Sequence, residues 1–258
     1  MADRKNVEAY YDEHITGKLQ GFYNGNPRAD MGWKTLTSNL LSAPKTILEI
    51  GCGIGDFCYK MYTHWPEAMV TGLDISPKSI EVANRLFSND HLRFVVGILD
   101  EKVFAGQKFD LIVLMDVYEH ISNEIRPSFD KTLADLLSEQ GTVFLTFPTP
   151  KHLDYLKKNV PDEIQPVDED INIHTISALA NTTATDVILY LEMEIWCRGD
   201  YTHAFLRKPE QNWEIVSSSA RGMKRIIRAF RKLIRNNNLL STKKSRLNFV
   251  KRKLGKDL

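Results

Sequence analysis

Two short runs in this chain carry residue types suited to chemistry. The first is Glu49-Ile-Gly51-Cys-Gly53-Ile-Gly55, where glycine recurs at every second position behind a carboxylate. Glycine allows a tight turn and lets a ligand approach the main chain closely. The second is Asp116-Val-Tyr-Glu119-His120, which sets two carboxylates and an imidazole within five residues. Such a set can move a proton as general acid or base. With a further histidine it could instead hold a divalent cation. His174 is the candidate for that fourth ligand, and Mg²⁺, Mn²⁺ or Zn²⁺ would suit the donors. A purely structural role for the run is the third reading.

The elements that must position these residues follow from periodicity. The apolar run 46–50 reads as a strand that ends at the glycine turn, and residues 56–65 have helical spacing. The turn would therefore open a helix, whose free N–H groups can meet a polar ligand. Residues 69–74 form a second strand ending in Asp74, where a carboxylate can accept both ribose hydroxyls. Ser76-Pro77 opens the next helix as N-cap and first-turn proline. Strands are expected over 91–96, 109–115 and 141–147, with a helix at 125–137. Residues 151–170 are polar and read as an insertion or lid. A helix at 173–184 and a hairpin of strands 186–196 and 201–207 follow. Strands alternating with helices imply a parallel sheet covered on both faces.

The turn is not the G-x-G-x-x-G of dinucleotide enzymes. G-x-G-x-G preceded by Glu49, Asp74 after the second strand, and the run from Phe109 to Ile121 together resemble the class I S-adenosylmethionine (SAM) dependent methyltransferases. The resemblance spans about residues 40–210 in motif order. It implies a three-layer α/β, Rossmann-like fold with seven strands, mostly parallel with an antiparallel C-terminal hairpin. It implies that Gly51, Gly53 and Gly55 line the methionine part of the cofactor, and that Glu49 fixes that loop and contacts the amino group. Asp74 would hold the ribose and Ile75 would pack on adenine. Ile98 stands where many relatives have an aspartate for the adenine amino group, with Asp100 as a substitute. Asp116 would sit beside the cofactor. Tyr10 or Tyr11, on an N-terminal helix, would lie near the sulfonium.

The D-x-x-E-H run is similar both to small-RNA 3′-terminal methyltransferases and to ubiquinone-biosynthesis O-methyltransferases. The first similarity favours a metal on Asp116, Glu119, His120 and His174. The second favours His120, with Glu119 and Tyr11, in catalysis on a small-molecule acceptor. The expectation here is methyl transfer to an oxygen of a glycan, a lipid-linked sugar or a prenylated ring. An RNA methyltransferase and a non-catalytic SAM-binding regulator are the alternatives.

The organisation expected is a helical cap at 1–43, a SAM-binding domain at 44–210 with an acceptor insertion at 151–185, and a tail at 211–258. Charge marks the last boundary. Residues 1–220 carry 20 basic and 32 acidic side chains, whereas 221–258 carry 14 and 1. The near-zero total hides an acidic body and a cationic tail. Met223, Ile226, Ile227, Phe230, Leu233 and Ile234 recur at helical spacing among arginines and lysines. That pattern predicts a basic amphipathic helix suited to an anionic membrane surface. Docking on the acidic body or on a protein partner is the alternative, and nucleic acid is a weaker fit, because an aliphatic stripe has no partner there. The three cysteines include no C-x-x-C pair, and no long apolar run appears. The expected setting is cytoplasmic, peripheral at the inner membrane face. Oligomeric state is not readable.

Overall fold

The computed structural model describes residues 11–12, 14–100, 102–161, 164–165, 167–209 and 242–255. Two helices come first, α1 (Ile15–Asn24) and α2 (Pro27–Asn39). Asn26 separates them and caps α2, its side chain accepting from the N–H of Arg28 and Ala29, with Pro27 in the first turn. The alternating body follows as β1 (Thr46–Ile50), α3 (Asp56–His64), β2 (Met69–Asp74), α4 (Pro77–Phe87), β3 (Leu92–Val96) and β4 (Phe109–Met115). A 3₁₀ turn (Tyr118–His120) leads to α5 (Arg126–Leu136), β5 (Leu137–Pro148), α6 (Pro150–Asn159), α7 (Ile173–Thr183), β6 (Asp186–Met193) and β7 (Tyr201–Arg207). Helix α8 (Lys243–Leu254) ends the described chain.

The seven strands lie in the order β3-β2-β1-β4-β5-β7-β6. The first five are parallel, and β7 pairs antiparallel with both β5 and β6. This is the expected Rossmann-like sheet with its antiparallel hairpin. Strands β1 and β4 are buried almost throughout because helices cover both faces. One face packs Leu36, Phe57, Met61, Ile80 and Leu86 against the sheet. The other packs Phe129, Leu133, Ile176 and Leu179. The chain leaves β1 toward one side and β4 toward the other, so a crevice opens at their carboxyl ends.

Three expectations change. Strand β5 begins at Leu137, four residues earlier than expected, because Leu137 pairs with Phe109 beside a register shift. The polar stretch after β5 opens with a helix. Thr149 caps α6 and Pro150 takes its first turn, so the proline after β5 starts a helix. The last part of the cationic tail, from 243, is a helix docked on the body. Phe249 stacks on Tyr59 and Phe87, Val250 is buried, and Arg85 donates to the Leu254 carbonyl. The amphipathic helix expected from 221 onward lies outside the described residues, as does Tyr10.

Candidate active site

The glycine turn is held in a left-handed conformation, with φ of 71°, 53° and 79° at Gly51, Gly53 and Gly55. Side chains are excluded there for two different reasons. A Cβ on Gly51 would meet Val117 at 2.3 Å, and one on Gly55 would meet the Phe94 ring at 2.4 Å. Asp74 ties the turn to the next strand. One carboxylate oxygen accepts from the Gly53 N–H at 2.7 Å and the other from the Ser76 N–H at 2.9 Å. Each oxygen keeps a second lone pair for a hydroxyl.

Glu49 sits beneath the turn at 2% exposure, and its Oε2 has no hydrogen-bond partner. Burial holds its carboxyl well above the usual range, against the lowering effect of a hydrogen bond with Cys58. A buried, unpartnered carboxyl oxygen needs a donor, and an ammonium group would supply one.

These residues border one cavity of about 1390 Å³. Single ligands of drug size fill about 300–1,000 Å³, so there is room for two. Glu49, Gly51, Gly53, Asp74, Ile75 and Ile98, where the sequence leads one to expect the cofactor, all line the cavity. Gly55 does not; it caps α3 and makes room for Phe94. Asp100 also stands off the wall, where it accepts from the N–H groups of Lys102 and Val103. The cap closes the other side. Lys18 lies over the Tyr11 ring at 5.4 Å and donates to Ser79. Tyr11 lines the cavity and donates to Gln165 at 2.5 Å, joining the cap to the segment after α6.

At the acceptor end Asp116 has φ 56°, a left-handed conformation uncommon outside glycine. Backbone strain of this kind clusters at functional sites. Asp116 Oδ1 accepts from the Thr146 hydroxyl at 3.0 Å, and Oδ2 pairs with Arg28 at 2.7 Å. The same Arg28 nitrogen donates to the Tyr201 hydroxyl at 2.8 Å. The guanidinium lies 5.4 Å from the Trp196 ring and 5.7 Å from the Tyr201 ring. Helix α2 can approach because Gly32 has no side chain facing Met115.

His120 lines the cavity but is clamped. Its Nδ1 lies 2.7 Å from the Val167 carbonyl and 3.1 Å from Asp168, and its Nε2 lies 3.8 Å from Glu119. Burial alone would lower its pKa, yet Glu119, Asp168 and the carbonyl outweigh it and push the value up to about 9. The surroundings therefore favour the charged form of the ring. Glu119 stands behind it at 2% exposure, off the cavity wall, and burial pushes its carboxyl upward. It therefore touches His120 rather than the cavity.

The metal expectation does not survive. Asp116 is committed to Arg28, and His120 to the 167–168 segment. His174 is exposed on the first turn of α7 and does not line the cavity. Among the described residues no group of three or more His, Cys, Asp or Glu could hold an ion. Sequence reasoning missed Arg28, Gln165 and Asp168. Only the Asn26-Pro27 cap signal hinted that Arg28 begins a helix, and nothing local placed it opposite Asp116.

Comparison with known proteins agrees with this geometry. Residues 47–141 match a family described as a methyltransferase domain. The malonyl-[acyl-carrier protein] O-methyltransferase of Acetivibrio thermocellus is 31% identical over 102 residues, covering 39% of this chain and 35% of that protein. The ubiquinone biosynthesis O-methyltransferase of Bartonella quintana is 34% identical over 102 residues, covering 39% and 40%. The chain thus spans about two fifths of the curated relatives it matches. The N-methyltransferase NodS of Bradyrhizobium japonicum, solved with S-adenosyl-L-homocysteine (SAH), superimposes with TM-score 0.63 at 18% identity, over 80% of this chain and all of that one. The magnesium protoporphyrin IX methyltransferase of Synechocystis gives TM-score 0.61 at 17% identity, over 80% and 100%. The fold is that of class I SAM-dependent methyltransferases, and residues 47–141 match a methyltransferase domain.

Proposed function

We propose that this protein transfers a methyl group from SAM to an oxygen of a small-molecule acceptor. The observation that carries the reading is the unpartnered Glu49 oxygen beneath the Gly51–Gly53 turn, with Asp74 beside it in one cavity. Glu49 would take the cofactor's ammonium, Asp74 its ribose, and Ile75 and Ile98 its adenine. SAM supplies a methyl group already activated by a sulfonium, so the protein's task is alignment and exclusion of water. Tyr11 and Gln165 shut the cap over the cavity, while Glu119 and Asp168 fix His120 in its wall.

The acidic body and the cationic sequence beyond 220 support an acceptor met at an anionic membrane surface. Among the described residues no helix is long and apolar enough to cross a membrane. The test is incubation with methyl-labelled SAM and a cell extract divided into lipid, small-molecule and RNA fractions. Label should enter the first two, and should fail to do so with Asp74→Ala. Label entering RNA alone would overturn the proposal.

A further inference from the structure

Among the described residues the cavity wall holds two Lys or Arg side chains, Lys18 and Arg28. Arg28 is built in rather than adventitious. Asn26 and Pro27 start the helix that carries it, Asp116 and Tyr201 bond one of its nitrogens, and Trp196 and Tyr201 lie against the guanidinium. Both bonds fall on Nη1. Among the described residues Nη2 makes no bond, and Nε is buried without a partner. A guanidinium held in this way keeps a donor for a planar oxyanion.

The bases at the acceptor end are already engaged. Asp116 accepts from Thr146 and pairs with Arg28. His120 is held at Nδ1 by Val167 and Asp168, with Glu119 3.8 Å from its Nε2. Asp168 meets His120 and the Gln165 N–H, and Glu169 accepts from Asn123. Glu124 is exposed on the loop before α5. An ordinary alcohol must lose its proton to a base as it reacts. An acceptor that is already ionised needs none.

We propose that Arg28 anchors the acceptor, and that the acceptor brings an acidic oxygen, a carboxylate or an ionised phenol, into this cavity. The inference rests on the methyl-transfer reading above and narrows its substrate class. The acceptor leaves its proton in water before it binds. One oxygen lone pair then forms the new bond to the methyl carbon as the carbon–sulfur bond breaks, and that electron pair stays on sulfur as a neutral thioether. The groups facing the guanidinium are Asp116 from the end of β4, Tyr201 from β7 and Glu119 from the 3₁₀ turn. The Asp116 carboxylate, paired with Arg28, selects against a loosely placed anion, so the oxyanion must reach the free edge of Arg28 itself. Trp196, 57% exposed, and Ile125, 49% exposed, stand at the same wall and would take an apolar remainder of the acceptor.

The test uses the full chain saturated with SAH, and three probes. These are 4-nitrocatechol, whose visible spectrum reports ionisation, 4-nitrobenzoate as a carboxylate, and tyramine as a cation. At a pH just below the free ionisation of 4-nitrocatechol, the bound probe should show the phenolate spectrum. Which oxyanion probe binds more tightly distinguishes a phenol from a carboxylate acceptor. Arg28→Gln should weaken the oxyanion probes by about tenfold or more, the scale of a charged hydrogen bond, and Arg28→Lys should recover part of it. Unchanged SAH binding by Arg28→Gln shows that the cofactor end is folded. Oxyanion binding indifferent to Arg28, preferred binding of tyramine, or no binding of either oxyanion probe would overturn the inference. If SAH itself fails to bind, the methyl-transfer reading fails instead.

Discussion

Glu49 and His120 are both buried ionisable groups, but their surroundings differ. The Oε2 of Glu49 lacks a donor, and burial favours the neutral acid. A cofactor ammonium would supply the donor, so Glu49→Gln should weaken SAM binding by roughly tenfold while leaving the fold intact. Calorimetry measures it, and equal affinity would show that the open oxygen serves nothing. His120 is raised to about 9 by the groups around it. A histidine raised on folding contributes stability that is complete below its unfolded pKa, about 6.5. That contribution disappears as pH rises through about 9. Buried Glu119 is also raised, so the folded state again holds the extra proton and stability again falls with rising pH. Melting temperature should therefore drop between pH 6.5 and 9, and His120→Asn should flatten that drop. A slope unchanged in the variant would mean that the clamp carries no proton-linked stability.

The glycine turn and the two capping helices show how elements place these groups. Gly55→Ala would combine φ 79° with a 2.4 Å approach to Phe94. A loss of about 1–3 kcal/mol is expected, the range for such strain. Thermal unfolding should show it even without cofactor, because Gly55 stands off the cavity wall. Strands β4 and β7 were legible to the residue, since each is an apolar run bounded by a turn. The early start of β5 was not, because Ser138, Glu139 and Gln140 look like a loop until Leu137 finds Phe109. The cofactor end was legible because a glycine turn and a strand-end acid are local features. The acceptor end was not. Arg28 and Asp116 are 88 positions apart and meet only through the packing of α2 beside β4. The metal expectation failed for the same reason, because spacing shows donors without showing which partners have already claimed them.

At the scale of the whole molecule, the sequence sets an acidic body against a cationic C-terminal region. Helix α8 spends its apolar face on the body, stacking Phe249 on Phe87, which in turn packs edge-on against Phe22 of the cap. Phe249→Ala should cost roughly 1–3 kcal/mol, below the full-burial range because the ring is only partly buried. Membrane attraction should therefore come from the basic positions between 221 and 235. Changing those seven to glutamine should abolish flotation with anionic vesicles and leave melting unchanged, whereas persistent flotation would reject the membrane role. Everything else depends on whether the cavity takes the cofactor. Titration calorimetry of SAH into wild-type and Asp74→Ala protein tests that most directly. The wild type should bind one equivalent, and the variant should bind about ten- to hundredfold more weakly. A wild-type protein that gives no heat, or a variant that binds equally well, would contradict it.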